Sequence, residues 1–203
     1  MKLYFAPGAC SLSPHIVVRE AGIVADLEQV DLKTKKTKSG ADFTAVNPKG
    51  QVPTLLLDSG QTLTEGPVIV QYLADQRPQS GLAPQAGTFE RYRLQEWLNF
   101  ITAEIHKPFG ALFTPSTPDD YKSIAKETLA NRFAYVDRHL ASGGPYLMGA
   151  QFTVADAYLF VMTLWAGFMK IDLGQWARLK AYAEQVAARP KVHEALKEEG
   201  LAK

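Results

Sequence analysis

The chain contains one cysteine, Cys10. It follows a short apolar run, Lys2 to Phe5, and precedes a stretch of helical period. A helix start offers unpaired N–H groups and positive dipole, both of which stabilise a thiolate. The pattern Cys10-Ser11-Leu12-Ser13 is Cys-x-x-Ser. With no second thiol to resolve it, a mixed disulfide at Cys10 would persist until an external thiol arrives. The alternative is a small buried hydrophobe, but a loop-to-helix position favours chemistry.

Two further segments have ligand-holding chemistry. Gly50-Gln51-Val52-Pro53 runs directly into a strand pattern. Pro53 is either a plain trans proline at a strand start or part of a cis Val52–Pro53 bond. The cis form would turn the polar groups of Val52 outward, ready to pair with an extended ligand. Thr64-Glu65-Gly66-Pro67 opens a helix. It is a simple helix start, or its free N–H groups take a carboxylate while Glu65 takes an ammonium, together fitting an α-amino-acid head group. Lys33, Lys35, Lys36 and Lys38 form a run, which reads as a solvated loop with one member available to an acidic ligand end.

Further along, Asn99, Ala103, His106 and Lys107 fall at spacings that share one helical face. His106 and His15, the latter one helical turn beyond Cys10, are both candidate partners for a thiol, and spacing alone does not choose between them.

These residues need elements to position them. Lys2–Phe5 reads as a strand, Pro14–Ala21 as a helix stopped by Gly22, and Leu27–Leu32 as a strand. Thr54–Leu57 and Thr62–Leu63 flank a Gly-containing hairpin turn, and Pro67–Ala74 is helical. Residues 1–77 therefore read as a small α/β layer domain and residues 78–87 as a linker. Residues 88–203 show almost only helical period, including the series Ile124, Leu129, Phe133, Val136 and Leu140. Thr153 fits an N-cap with Asp156 at N3.

Composition narrows the function classes. With 22 basic against 21 acidic side chains, nucleic-acid binding driven by bulk charge is disfavoured. One cysteine supplies neither an intrachain disulfide nor a Cys-based zinc cluster, so no metal is expected. The longest charge-free apolar stretch, Ala157 to Met169, falls short of the roughly 20 residues a bilayer span needs. It reads as a buried helix, and no membrane partner is expected. No secretory signal is visible at the start, so a cytoplasmic, reducing location is the expectation.

The motifs, taken together, resemble those of a glutathione S-transferase, closest to the bacterial beta class. They are Met1-Lys-Leu-Tyr, Pro7-Gly-Ala-Cys-Ser-Leu-Ser-Pro-His15, Asn47-Pro-Lys-Gly-Gln-Val-Pro53, Leu63-Thr-Glu-Gly66, Gln71-Tyr-Leu-Ala-Asp75, Trp97-Leu-Asn99, His106-Lys107 and Phe152-Thr-Val-Ala-Asp-Ala-Tyr-Leu-Phe160. The resemblance spans essentially the whole chain. It implies an α/β plus all-α architecture: a thioredoxin-like N-terminal domain followed by a helical-bundle C-terminal domain, paired as a homodimer. It also implies glutathione as co-substrate, lying between the domains. By resemblance Cys10 sits at the glutathione sulfur, and Val52, beside cis-Pro53, pairs with the cysteinyl backbone. Glu65 and Gly66 hold the γ-glutamyl head, and Lys35 lies toward the glycyl carboxylate. Asn99, Ala103, Glu104, His106 and Lys107 approach from the helical domain, with His106 near the sulfur. One departure is Gly66, where many members of the superfamily have Ser, so backbone N–H groups must replace a hydroxyl. Tyr4 ranks as a thiolate activator behind Cys10 and Ser11, because it lies inside the strand.

The expected activity is conjugation of the glutathione thiolate to small hydrophobic electrophiles, a detoxification reaction. Phe109, Phe113, Trp165 and Met169 are candidates for an electrophile pocket, and helix core is the competing reading of each. Two other functions compete with it. One is Cys10-dependent thiol–disulfide, peroxidase or reductive-dehalogenation chemistry with glutathione; the other is a non-catalytic ligand- or partner-binding protein on the same fold.

Overall fold

The computed structural model describes residues 1–202 and divides into two compact units, Met1–Ala83 with the described residues from 188 onward, and Pro84–Ala187. The first unit opens with strand β1 (Lys2–Phe5), helix α1 (Leu12–Glu20) and strand β2 (Asp26–Asp31). Two-residue strand β3 (Lys36–Thr37) follows, then β4 (Thr54–Leu56), β5 (Thr62–Thr64) and helix α2 (Gly66–Asp75). The sheet order is β3-β2-β1-β4-β5, with β1 parallel to β2 and antiparallel to β4. This is the expected thioredoxin-like arrangement of α/β elements.

Apolar alternation explains how the layers close. Leu3 and Leu55 are paired across β1 and β4 and fully buried. Leu12, Ile16 and Val17 of α1 are fully buried, as are Ile69, Val70 and Leu73 of α2. Tyr4 points into a separate cluster with Ala6, Val30, Phe43 and Val52, its ring 5.4 Å from that of Phe43. It is a core residue. The lysine run is not wholly loop, since Lys36 belongs to β3 and Lys35 precedes it with a left-handed φ of 57°.

The second unit is helical: α3 (Phe89–Phe100), α4 (Lys107–Phe113), α5 (Asp119–Gly143), α6 (Val154–Phe168) and α7 (Ala177–Ala187). A π-helical segment, Ile101–His106, lies between α3 and α4. In α5 the buried series is Ala125, Leu129, Phe133, Val136 and Leu140. Ile124, expected in that series, is 57% exposed, because the smaller Ala125 takes the inward position. Helix α6 is apolar on nearly every side and buried accordingly. Among the described residues, no helix is long and apolar enough to cross a membrane.

Helix α8 (Pro190–Glu198) packs on α1 and belongs to the first unit. The sequence reading placed it in one helical domain with residues 88–187. Helical period gives an element's type but not its partner; α8 buries Val192, Ala195 and Leu196, and ion pairs tie it to α1. Arg19 on α1 pairs with Glu198, and Arg189 pairs bidentately with Glu20. The expected linker contains a 3-10 turn at Pro78–Ser80 and a buried Leu82.

The start of α6 is organised by Asp156. Its fully buried carboxylate accepts from Thr153 N–H, Thr153 Oγ1, Leu147 N–H and the Tyr182 hydroxyl of α7. These bonds favour the anion, but loss of hydration outweighs them and pushes the carboxyl up to about 6. An unfolded Asp ionises near 4, so the native state holds the proton more tightly between about pH 4 and pH 6. Stability from this group is therefore expected to fall by about 2–3 kcal/mol as pH rises through that window. Denaturant unfolding of wild type and Asp156→Asn across pH 3.5–7 checks it. The difference between the two curves should change with pH in that interval, and a constant offset would contradict the assignment.

Candidate active site

In the first unit the site is built from loops that follow or precede strands. Cys10 lies in the loop between β1 and α1, half-buried, two residues before the helix begins. Its thiol donates to the Val52 carbonyl at 3.3 Å. The backbone N–H groups of Cys10 and Ser11 lower the thiol pKa, as a helix start should. Desolvation of the sulfur is the larger effect, the Glu65 charge adds to it, and the thiol is pushed up to about 12. The expectation of a stabilised thiolate is thus reversed in the ligand-free protein, because a few partial charges do not replace lost hydration.

The neighbouring hydroxyls are not thiol activators. Ser11 is buried, and its Oγ accepts from Ala6 N–H and donates to Ala6 C=O, which closes the loop on itself. Ser13 is buried with its hydroxyl unpartnered among the described residues. His15 is also no partner for the thiol. Its Nδ1 lies 2.9 Å from Glu199 and its Nε2 2.7 Å from Glu198. The other oxygen of Glu199 accepts from Gly8 N–H at 2.9 Å, so this carboxylate steadies the loop that carries Cys10.

The Val52–Pro53 bond is cis, which decides between the two readings of Pro53. The loop before it is held by Asn47, a buried residue that spacing did not single out. Its amide donates to Gln51 C=O and Thr54 Oγ1, and its carbonyl accepts from Lys49 N–H. Lys35 reaches this loop from the far side, donating to Gly50 C=O at 2.8 Å. A Cβ on Gly50 would lie 3.3 Å from the Lys35 stem, and Gly50 has φ +61°, so a side chain there would be both crowded and strained.

Glu65 precedes α2 with φ 69° and ψ 111°, an uncommon conformation for a residue with a side chain. Its carboxylate is mostly exposed and pairs with Lys49 Nζ at 2.6 Å. Val68 and Ile69 N–H both close on the Glu65 carbonyl, and the first N–H of α2, on Gly66, has no intrahelical acceptor. Gly66 also lies close to Pro53, whose Cγ is 3.7 Å from where a Gly66 Cβ would be. Cys10, Val52, Pro53, Glu65 and Gly66 are therefore gathered in one region of the first unit.

In the second unit the expected helical face is modified. The π-helical segment, with Lys107 N–H donating to Thr102 C=O, replaces α-helix where Ala103, Glu104 and His106 lie. Asn99, Ala103 and Lys107 are exposed at intervals of four. Glu104 pairs with Arg132 of α5 at 2.8 Å. His106 is partly buried, which holds its imidazole below the ordinary histidine range and neutral at pH 7. Its Nδ1 shares a 2.5 Å hydrogen bond with the Tyr158 hydroxyl, and Trp165 meets its ring edge-on with centroids 4.8 Å apart. With Nδ1 engaged, Nε2 is the ring nitrogen that remains for a further partner.

The aromatic candidates separate by exposure. Phe109 is fully buried between Phe133, Phe113 and Trp165, as helix core. Trp165 is 7% exposed and Phe113 43% exposed, with ring centroids 4.9 Å apart. Met169 is half-buried, and Phe168, not singled out by spacing, is 50% exposed.

The state of Cys10 has a direct chemical readout. A thiol held near 12 has a far smaller thiolate fraction at pH 7.5 than an ordinary cysteine, and the higher intrinsic nucleophilicity of its thiolate offsets only part of that. Alkylation of the ligand-free protein by iodoacetamide, followed by intact mass, should be roughly 100-fold slower than that of free cysteine. A rate equal to or above that of free cysteine would contradict the protonated state.

Comparison with known proteins agrees over both units. Residues 8–76 match the family described as glutathione S-transferase, N-terminal domain, and residues 103–199 match its C-terminal domain. The chain is 46% identical to glutathione S-transferase GstA of Escherichia coli O157:H7, over 99% of this chain and 100% of that one. The solved structure of a sphingomonad glutathione S-transferase complexed with glutathione is 50% identical, covers both chains completely and superposes with a TM-score of 0.96. The beta-class enzyme of Sphingomonas chungbukensis is 48% identical with the same coverage and TM-score. With both halves matched and relatives of this identity spanning its full length, the chain belongs to the glutathione S-transferase family.

Proposed function

We propose that this protein binds glutathione and transfers its sulfur to small hydrophobic electrophiles. The observation that carries the reading is the gathering of Cys10, Val52, the cis bond to Pro53, Glu65 and Gly66 in one region of the first unit. The Cys10 thiol donates to Val52 C=O and burial raises its pKa, so in this reading it is a hydrogen-bonding group and the attacking sulfur is that of glutathione. In this reading Val52 pairs with the cysteinyl backbone, Gly66 N–H takes the γ-glutamyl carboxylate, and Glu65 takes the ammonium. Lys35 takes the glycyl carboxylate, and Asn99, Ala103, Glu104 and Lys107 support the ligand from the second unit.

The reaction needs one proton acceptor and one bond exchange. His106, neutral at pH 7, accepts the glutathione thiol proton or donates to its thiolate, according to the tautomer that Tyr158 selects. The thiolate attacks the electrophilic carbon, the C–S bond forms, and halide leaves from an aryl halide. Phe113 and Trp165 supply apolar surface for the electrophile, with Phe109 as packing behind them. The reading includes a homodimer in the cytoplasm, where a single free cysteine is at home. Cys10-dependent thiol–disulfide chemistry is the second reading, supported by the position of Cys10 but opposed by its raised pKa.

Calorimetry with millimolar glutathione and a conjugation assay with 1-chloro-2,4-dinitrobenzene test this. Cys10→Ala should retain conjugation to within about three-fold, and a loss beyond roughly 100-fold would make Cys10 the nucleophile. Absence of glutathione binding would favour the non-catalytic reading. Tyr158→Phe, which frees the His106 tautomer, should lower kcat by roughly ten-fold with little change in KM for glutathione. A change confined to KM would remove Tyr158 from the chemical step.

A further inference from the structure

Lys49 has no part in the reading given above, yet it holds the carboxylate that reading depends on. Its Nζ donates to Glu65 Oε1 at 2.6 Å and to Thr64 Oγ1 at 3.2 Å. Lys49 and Glu65 lie in different loops, before β4 and before α2, and the main chain anchors each of them. Asn47 fixes the backbone of Lys49 through its N–H, and the left-handed backbone of Glu65 sets the direction of the carboxylate. The group that Lys49 presents is a primary ammonium. Glutathione would bring the same group to the same carboxylate, on its γ-glutamyl end.

We propose that Lys49 is a built-in stand-in for the ligand ammonium. In the free protein it occupies Glu65, and the γ-glutamyl ammonium displaces it on binding. Lys49 is then a specificity-determining residue, because it fixes how much a ligand gains from carrying an α-amino group. This inference rests on the assignment of Glu65 to that ammonium. Binding exchanges one exposed ion pair for another, so the net gain at Glu65 is a difference between similar interactions. The displaced Lys49 side chain, already 54% exposed, returns to water.

Isothermal titration of two ligands tests it, glutathione and its desamino analogue, which has glutaryl in place of γ-glutamyl. Lys49→Met keeps the apolar stem and the backbone bond to Asn47 while removing the charge. It should bind glutathione about two- to five-fold more tightly, the scale of an exposed ion pair, and bind the desamino analogue as wild type does. Lys49→Arg, which restores a cation, should return glutathione affinity to the wild-type value. Unchanged or weaker glutathione binding by Lys49→Met would overturn the proposal, and weaker binding would place Lys49 on a ligand carboxylate instead. Equal tightening of both ligands would also overturn it, as a general field effect. A wild-type protein that binds neither ligand would overturn the glutathione reading itself, and this inference with it.

Discussion

The buried carboxylate of Glu199 anchors the first unit. It caps α8 at the negative end of the helix dipole, a poor place for an anion unless donors surround it. Two donors do so, Gly8 N–H and the His15 ring, and each lies at one end of the segment that carries Cys10. Gly8 sits in the loop, and His15 sits one turn into the buried helix. A single side chain therefore couples loop position to helix position, and Ser11 closes the interval between them through Ala6. The same device recurs at Asn47, whose one side chain makes two bonds within the loop before the cis bond and a third to Thr54 just after it. In both places side-chain polar groups replace the ladder bonds that loops lack.

Two opposite uses of burial follow in the two units. Around Cys10, loss of hydration outweighs the amide dipoles and keeps the thiol protonated. Around His106, loss of hydration keeps the imidazole neutral. Both groups are held uncharged near pH 7, one as a donor and the other with a free ring nitrogen. Asp156 shows the same force in a structural setting, where four donors do not compensate for removal from water.

Much of this was legible in the sequence. Punctuation by Gly and Pro located β1, α1, the β4–β5 hairpin and α2, because turn chemistry is local. The motifs around Cys10, Pro53 and Glu65 marked residues that the fold gathers in one region of the first unit. Long-range charge pairing was not legible. Glu199 is far from Gly8 in sequence, and nothing local marks an acidic residue near a helix end as buried. Lys49 and Asn47 were hidden within a motif read for its proline. The π-helical turn was missed because apolar spacing of three and four is compatible with a local widening. The state of Cys10 was misread because helix-start dipoles are visible in a sequence and desolvation is not.

The attachment of α8 to the first unit makes that unit discontinuous along the chain. A chain emerging from the ribosome completes its thioredoxin-like sheet early, but the α1 surface stays uncovered and His15 lacks its carboxylates until residues 198 and 199 are out. The helical unit in between is made before that closure. The sheet segment is thus finished by a segment made after the whole helical unit, which favours late docking over domain-by-domain completion. A cut after residue 83 would likewise not yield an independent sheet domain, because it leaves a buried histidine and an apolar helix face without their cover.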